Sequence, residues 1–143
     1  MIKVLFVCHG NICRSPMAEF VLKDMVRKAG AAERVEIASV ATSCEELGNP
    51  VYPPALRELQ RHGIAVGAHR ARQITRADVA RFDRIYYMDS RNARNLARMF
   101  PRDTEKFQPF LHRDVADPWY SGDFTQTWLD IVEGCERIMK EVL

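Results

Sequence analysis

The chain has 143 residues, of which 47% are hydrophobic and 28% are charged, and its formal net charge is +2. This composition is typical of a folded globular protein, so intrinsic disorder and collagen-like repeats are excluded. The small net charge gives no sign of a nucleic-acid partner, and no apolar run is long enough to cross a membrane. With no secretory signal pattern and four cysteines, we expect one cytoplasmic domain over residues 1–143.

Strand and helix signals alternate from the N-terminus onward. Ile2–Val7 is almost entirely apolar, which predicts a strand buried on both faces of a parallel sheet. Ser15 and Pro16 are predicted to be the N-cap and the first residue of a helix that Gly30 closes. Val35–Ser39 has the composition of a second short strand.

The rest of the chain continues this alternation. Next come a helix with Leu56, Leu59 and Ile64 that breaks near Gly63, and a short helix from a Thr75/Asp78 capping box to Phe82. They are followed by a strand at Ile85–Met88 and a helix from Ser90 to Met99. A short strand at Phe107 and a helix over Phe124–Val142 end the predicted elements. Such alternation predicts an α/β fold with a mainly parallel sheet. Functional side chains of these folds gather at the carboxyl ends of the strands.

The connection after the first strand has the strongest functional pattern, Cys8-His9-Gly10-Asn11-Ile12-Cys13-Arg14-Ser15. Backbone N–H groups of a short loop can converge on an anion, and the next helix adds its positive dipole end. Arg14 can donate two hydrogen bonds to a phosphoryl group, and Gly10 is expected to allow close approach or a positive φ. The same dipoles, with a hydrogen bond from Ser15, would stabilise a thiolate at Cys8. The alternative is a buried strand end followed by a surface arginine.

Cofactor-binding patterns are absent. The spacing of Cys8, His9 and Cys13 offers no second pair of zinc ligands, and the chain has no glycine pattern of a nucleotide-binding loop. We therefore expect neither a metal nor a cofactor.

A second cluster, Asp117-Pro118-Trp119-Tyr120, lies late in the chain. Displacement of an aryl group from phosphorus leaves a phenolate whose parent pKa is about 10, so a general acid helps strongly. Asp117 could supply that proton from a proline-stiffened loop, with the two aromatic residues as walls for a flat ring. Taken alone, an ordinary Asp-Pro turn beside two core aromatics explains this cluster better.

Together, the two clusters resemble a known family. Cys8–Ser15, continuing into Pro16-Met17-Ala18-Glu19, is similar to the signature of low-molecular-weight protein tyrosine phosphatases, and Asp117–Tyr120 is similar to that family's general-acid loop. The resemblance covers essentially the whole chain and includes Ser39, Gly48-Asn49-Pro50, His69–Gln73 and Met88-Asp89. It implies a four-stranded parallel sheet flanked by helices, a three-layer sandwich of flavodoxin-like topology.

The resemblance also implies a two-step reaction on phosphotyrosine-containing proteins or small aryl phosphates. Cys8 would form a phosphocysteine, Arg14 and the loop amides would hold the phosphoryl oxygens, and Asp117 would act as general acid and then as base. Asn11, Ser15, Ser39 and His69 would support the loop, and the pocket would be lined by Ile12, Glu45, Trp119 and Tyr120. The protein is expected to be a monomer without a nucleic-acid or membrane partner.

Two subfamilies with the same loop are alternatives. Protein-arginine phosphatases typically have Thr in place of Ile12 and a smaller residue in place of Tyr120, so both residues favour a tyrosine substrate. Arsenate reductases relay a disulfide through two further cysteines. Here Cys44 and Cys135 are far apart in sequence, and Cys135 lies on an apolar helix stripe, so arsenate reduction is disfavoured.

We draw one further expectation from Glu45, about the pocket, and one from Cys13, about oxidation. Many relatives have an aromatic residue about where Glu45 stands, so one pocket wall is expected to be missing and acidic phosphopeptides to be disfavoured. If the loop curls, Cys8 and Cys13 could come within disulfide range and form a redox pair, as the resemblance also implies. The alternative for Cys13 is a small buried residue.

Arg91, Arg94 and Arg98 lie on one side of a predicted helix, with Arg102 nearby. A non-catalytic binding module would use this face for nucleic acid or an acidic partner. A solvated face of a surface helix is the simpler interpretation, because the total charge is balanced.

Overall fold

The computed structural model describes residues 1–143 as a parallel sheet with helices on both faces. The spatial order of the strands is β2-β1-β3-β4, and every pairing is parallel. Their bounds are β1 (Ile2–Cys8), β2 (Val35–Ala41), β3 (Arg84–Tyr87) and β4 (Phe107–Pro109). This order is that of a flavodoxin-like sheet with four strands, so the predicted architecture is confirmed, including the short strand at Phe107.

Six α-helices connect and follow the strands. They are α1 (Arg14–Lys28), α2 (Pro53–Arg61), α3 (Arg76–Arg81), α4 (Ser90–Met99), α5 (Pro118–Ser121) and α6 (Phe124–Val142). A short 3₁₀ turn at Thr104–Lys106 precedes β4. None of the helices is both long and apolar enough to cross a membrane.

Alternate residues of β1 face opposite helical layers. Val4 and Phe6 pack with apolar residues of α1, α2 and α6, whereas Leu5 and Val7 pack with those of α3 and α4. All four side chains are fully buried. A strand enclosed on both faces has to be apolar throughout, which explains the composition of Ile2–Val7.

The switch in strand order falls between β1 and β3. The chain leaves β1 towards β2 on one side, while β3 lies on the other, with Val7 paired to Tyr87. The loops that follow β1 and β3 therefore meet at one edge of the sheet, where open α/β folds bind their ligands. Cys8 ends β1 at this edge.

The start of α1 differs from the prediction. The helix begins at Arg14, with Cys13 as N-cap and no side-chain capping bond, so Ser15 is not the N-cap and Pro16 is the third helical residue. The reason is that the Ser15 hydroxyl is occupied elsewhere, because it accepts a hydrogen bond from Asn11 Nδ2 at 2.8 Å.

Two other helices also differ. The second predicted helix ends at Arg61, and Ile64 lies beyond it, after Gly63 turns the chain with a φ of +74°. The four-residue helix α5 was not predicted from the sequence, where Asp117-Pro118 indicated only a loop.

Both capping boxes at the starts of α3 and α4 satisfy backbone N–H groups, through Thr75 with Asp78 and Asp89 with Asn92.

Candidate active site

The Cys8–Ser15 segment curls tightly and is almost wholly removed from solvent beyond Gly10. Asn11, Arg14 and Ser15 are at most 2% exposed. Asn11, not Gly10, takes the positive φ, at 61°, in the left-handed region that asparagine tolerates better than most residues. Gly10 serves close approach instead, because a Cβ there would lie 3.3 Å from Glu46 Cγ.

The sulfur of Cys8 is surrounded by hydrogen-bond donors. Ser15 Oγ lies 3.0 Å from Sγ, and the backbone N–H of Asn11 donates to Sγ over 3.3 Å. A thiolate only accepts hydrogen bonds, so the Ser15 hydroxyl would donate to it while accepting from Asn11 Nδ2. Two donors therefore converge on the Cys8 sulfur at the N-terminal end of α1.

Arg14 is held between two carboxylates and a backbone carbonyl. Its Nη1 donates to Asp89 Oδ2 at 2.6 Å and to the Val115 carbonyl at 2.9 Å, and its Nη2 donates to Asp117 Oδ2 at 3.3 Å. Burial by itself lowers the pKa of the Arg14 guanidinium, but the negative charges of Cys8, Asp117 and Asp89 outweigh it, so the net pKa is raised. A permanent, oriented cation therefore lies beside the sulfur.

A buried hydrogen-bond network fixes the loop from behind. Asn11 Nδ2 also donates to Ser39 Oγ at 2.9 Å, and Ser39 donates to Glu19 Oε1 at 2.6 Å. His69 Nε2 lies 2.8 Å from the Asn11 carbonyl, which fixes this nitrogen as the donor, and the Arg72 N–H donates to Asn11 Oδ1. The structure thus brings together Asn11, Ser15, Ser39 and His69, the group that the family resemblance implies, around the Cys8–Ser15 loop.

Three members of this site were missed as such in the sequence. Glu19 continues the network behind the loop, Asp89 binds Arg14, and Arg72 contributes its backbone. The available signals were weak: Glu19 interrupts a buried helix face, and Asp89 begins α4 directly after a buried strand. A charged residue in such a place needs a partner, and that partner was not visible in the sequence.

Asp117 lies at the mouth of a pocket whose floor is the loop. Its carboxylate caps α5 by accepting the Trp119 N–H, and the other oxygen faces Arg14. Trp119 and Tyr120 remain largely exposed beside it. The pocket is lined by Cys8, His9, Gly10, Ile12, Cys13, Arg14, Glu45, Glu46, Asp117, Trp119 and Tyr120.

The comparisons with known proteins agree with this geometry. Residues 3–143 match the family model of the low molecular weight phosphotyrosine protein phosphatases. The low molecular weight protein-tyrosine-phosphatase YfkJ of Bacillus subtilis is 35% identical over 150 residues, which cover 99% of this chain and 96% of that protein. The chain belongs to this family.

Solved structures of the family have the same fold. The crystal structure of YfkJ matches with a TM-score of 0.96 over 99% of this chain and 94% of that one. The Streptococcus pyogenes phosphatase SP-PTP is 39% identical with a TM-score of 0.94, covering 100% of this chain and 94% of that one. A Drosophila arginine phosphatase is 32% identical, with a TM-score of 0.87 over 98% of this chain and 97% of that one.

Glu45 lines the pocket of this family member in an unexpected way. Its Oε2 accepts a hydrogen bond from Nε2 of His9 at 2.7 Å, so the segment around Glu45 is joined to the Cys8–Ser15 loop. Glu46 lies next to it and accepts a hydrogen bond from Asn49. The rim on this side is acidic and has no aromatic residue, whereas Tyr52 contributes an aromatic ring behind Trp119.

The four cysteines occupy different environments. Cys13 is buried beside Cys8, and burial, together with the charge of Cys8, raises its pKa, so it is a protonated thiol at neutral pH. Cys135 is fully buried in the core, where its thiol donates to the Ala18 carbonyl, and Cys44 is exposed. Nowhere do three or more His, Cys, Asp or Glu side chains lie together in a group that could hold a metal ion.

Arg91, Arg94 and Arg98 are exposed on α4, and none of them has a carboxylate partner. Arg98 donates to the side chain of Asn95 on its own helix. These arginines do not line the pocket at Cys8. Their arrangement is that of a solvated helix face.

Proposed function

We propose that this chain hydrolyses phosphotyrosine in proteins, or small aryl phosphates, through a phosphocysteine on Cys8. The observation that carries the proposal is the position of the Cys8 sulfur, which lies within hydrogen-bond distance of Ser15 and Asn11 beside a buried, oriented Arg14. Family membership supports the same activity, since the named relatives are protein-tyrosine phosphatases. Residues 1–143 would form one catalytic domain.

In the first step, the Cys8 thiolate attacks phosphorus while the bond from phosphorus to the phenol oxygen breaks. The loop amides and Arg14 hold the three non-bridging oxygens, whose charge changes during the transfer. Asp117, at the mouth of the pocket, gives its proton to the departing phenol oxygen. Tyrosine leaves, and the phosphoryl group remains on Sγ.

In the second step, water attacks the phosphocysteine and the bond from sulfur to phosphorus breaks. Asp117 is now a carboxylate and takes a proton from the attacking water. The Ser15 hydroxyl donates to the sulfur as its charge returns, which stabilises the leaving thiolate. Inorganic phosphate then dissociates, and the site returns to its starting state.

Arg14 and the loop amides supply all the positive charge this mechanism needs, so it uses no metal or cofactor. Cys8 must remain a free thiol, which a reducing compartment maintains. This requirement supports the cytoplasm as the place of action. The protein is proposed to act as a monomer, because every residue of the mechanism comes from one chain.

Tyrosine is preferred over arginine as the substrate side chain. Ile12, Trp119 and Tyr120 line the pocket, and their apolar surfaces suit a flat aromatic ring. Arginine dephosphorylation is the second candidate, favoured by the similarity to the Drosophila arginine phosphatase. An arsenate-reducing disulfide relay lacks support, because Cys135 is enclosed in the core.

The test is the substitution Cys8→Ser, measured on phosphotyrosine, phosphoserine, phosphoarginine and arsenate. We expect the parent to hydrolyse phosphotyrosine fastest and Cys8→Ser to lose turnover, because a neutral hydroxyl is a poor nucleophile. The variant should still bind phosphate or vanadate through Arg14. Cys44→Ser, which changes the exposed cysteine, is the matched control and should keep full activity. Turnover by Cys8→Ser, or a preference for phosphoarginine, would contradict the proposal.

A further inference from the structure

Helix α5 has few attachments to the rest of the protein. Its hydrogen bonds run within residues 117–123, and none joins residues 118–122 to any other part of the chain. The segment is held by the Asp117 contact to Arg14, by the buried Pro118 and by the side chain of Trp119. A four-residue helix with so few bonds needs a packing contact to fix its position.

Tyr52 supplies the aromatic packing contact of this segment. Its ring centroid lies 4.9 Å from that of Trp119, with the planes tilted by 51°, and 6.2 Å from that of Phe124 at the start of α6. Rings at these separations attract one another beyond the effect of area burial. Tyr52 itself does not line the pocket, so it touches the substrate wall only from behind.

Tyr52 is in turn attached to the phosphate-binding loop. Its backbone N–H donates to the Ile12 carbonyl at 2.9 Å, and Pro53 and Pro54 stiffen the start of α2 directly after it. The position of the ring is therefore set by the loop that carries Cys8. One residue connects the floor of the pocket to the wall that carries the general acid.

We propose that Tyr52 is a positioning residue that holds Trp119 as the pocket wall and thereby sets Asp117 over the Cys8 sulfur. This inference rests on the proposed phosphotyrosine activity. Tyr52 acts through Trp119 and takes no part in bond making. It also offsets the missing aromatic residue at Glu45, because it packs a second ring against Trp119, which lines the pocket.

The test compares Tyr52→Ala, which removes the ring that packs against Trp119, with Tyr52→Phe, which keeps that ring. Tyr52→Phe should keep parent kinetics. Tyr52→Ala should lower kcat/KM for phosphotyrosine by about 3- to 10-fold, which is the worth of one aromatic pair. Inhibition by inorganic phosphate should not change, because the loop amides and Arg14 remain in place. Arg57→Ala, an exposed change on the helix that follows Tyr52, is the matched control.

A double-mutant cycle separates positioning from general destabilisation. If Tyr52 acts through Trp119, Tyr52→Ala should have almost no further effect in a Trp119→Ala background. Independent, additive losses would overturn the proposal. Equal losses for phosphotyrosine and for acetyl phosphate, which has no ring to bind, would also overturn it.

A second readout does not depend on activity. In a Trp128→Phe background the fluorescence comes from Trp119 alone. Tyr52→Ala should shift this emission to the red and increase its quenching by acrylamide, whereas Tyr52→Phe should not. Unchanged fluorescence would overturn the positioning role even if the parent were active. An inactive parent with the expected fluorescence would refute the proposed function and leave the contact between Tyr52 and Trp119 established.

Discussion

Two carboxylates bind the Arg14 guanidinium, but they differ in what else they do. Asp89 also caps α4, accepting the Asn92 N–H at 2.8 Å, so both its oxygens are engaged within the fold. Asp117 holds Arg14 at the longer distance of 3.3 Å and lines the pocket. Both Asp117 oxygens also accept hydrogen bonds, from the Trp119 N–H and from Arg14, but Asp117 lines the pocket and Asp89 does not. In the proposed mechanism Asp89 therefore orients Arg14, and Asp117 exchanges a proton with the substrate.

This difference predicts how Asp117→Ala depends on the leaving group. Phosphotyrosine leaves as a phenol of pKa about 10, and general acid catalysis is typically worth about 10²–10⁴-fold. An aryl phosphate with a far more acidic phenol departs without a proton and should lose much less. Under single-turnover conditions, the slope of log rate against leaving-group pKa should be shallow in the parent and steep in Asp117→Ala.

Asp114 is the control for this measurement, because it is a nearby acid that binds the Ser90 backbone and hydroxyl instead of Arg14. Asp114→Ala should keep the shallow slope. Equal slopes in the parent and in Asp117→Ala would mean that the proton comes from another group.

The buried Cys13 thiol predicts that oxidation of Cys8 is reversible. Burial and the neighbouring Cys8 keep its pKa raised, so Cys8 is the thiol that peroxide oxidises first, to a sulfenic acid. The Cys13 thiol would then attack that sulfur and release water, which leaves a disulfide that thiols reduce. Inactivation by peroxide should be reversible in the parent and progressively irreversible in Cys13→Ser. Cys44→Ser should recover like the parent, and equal recovery of all three proteins would exclude the pair.

At the scale of the elements, local patterns predicted most of the fold. The apolar run of β1, the capping box at Thr75 and the apolar stripe of α6 each depend on neighbouring residues, and each is present in the structure. The start of α1 was wrong because a long-range contact competes with a local one. Ser15 has the chemistry of an N-cap, but its hydroxyl is engaged by Cys8 and Asn11.

The parts of the site that were not predicted come from distant segments. Asp89 lies 75 residues from Arg14, and Ser39 lies 20 residues from Glu19, yet both pairs are in direct contact. Tyr52 and Trp119 are similarly remote and meet only because α2 and α5 lie at the same edge of the sheet. Sequence patterns identify residue types that need partners, whereas strand order decides which partners they find.

For the molecule as a whole, Phe110 connects the first strand to the last helix. It follows β4, is almost fully buried, and its ring stands edge-on to Phe6 of β1, with centroids 5.6 Å apart. On the opposite side the ring meets the backbone of α6 at Gly134, where an added Cβ would lie 2.2 Å from two ring atoms. The absence of a side chain at Gly134 is therefore what allows α6 to close the larger apolar layer.

Gly134→Ala consequently tests the packing of the whole chain. Alanine favours a helix over glycine by about 1 kcal/mol, but overpacking a rigid buried ring costs about 1–3 kcal/mol or more. We expect the free energy of unfolding in urea to fall by about 1–2 kcal/mol without a change in m. Lys140→Ala on the exposed side of α6 should be nearly neutral. In a Phe110→Leu background, Gly134→Ala should cost little or stabilise; a stabilising effect in the parent would refute the clash.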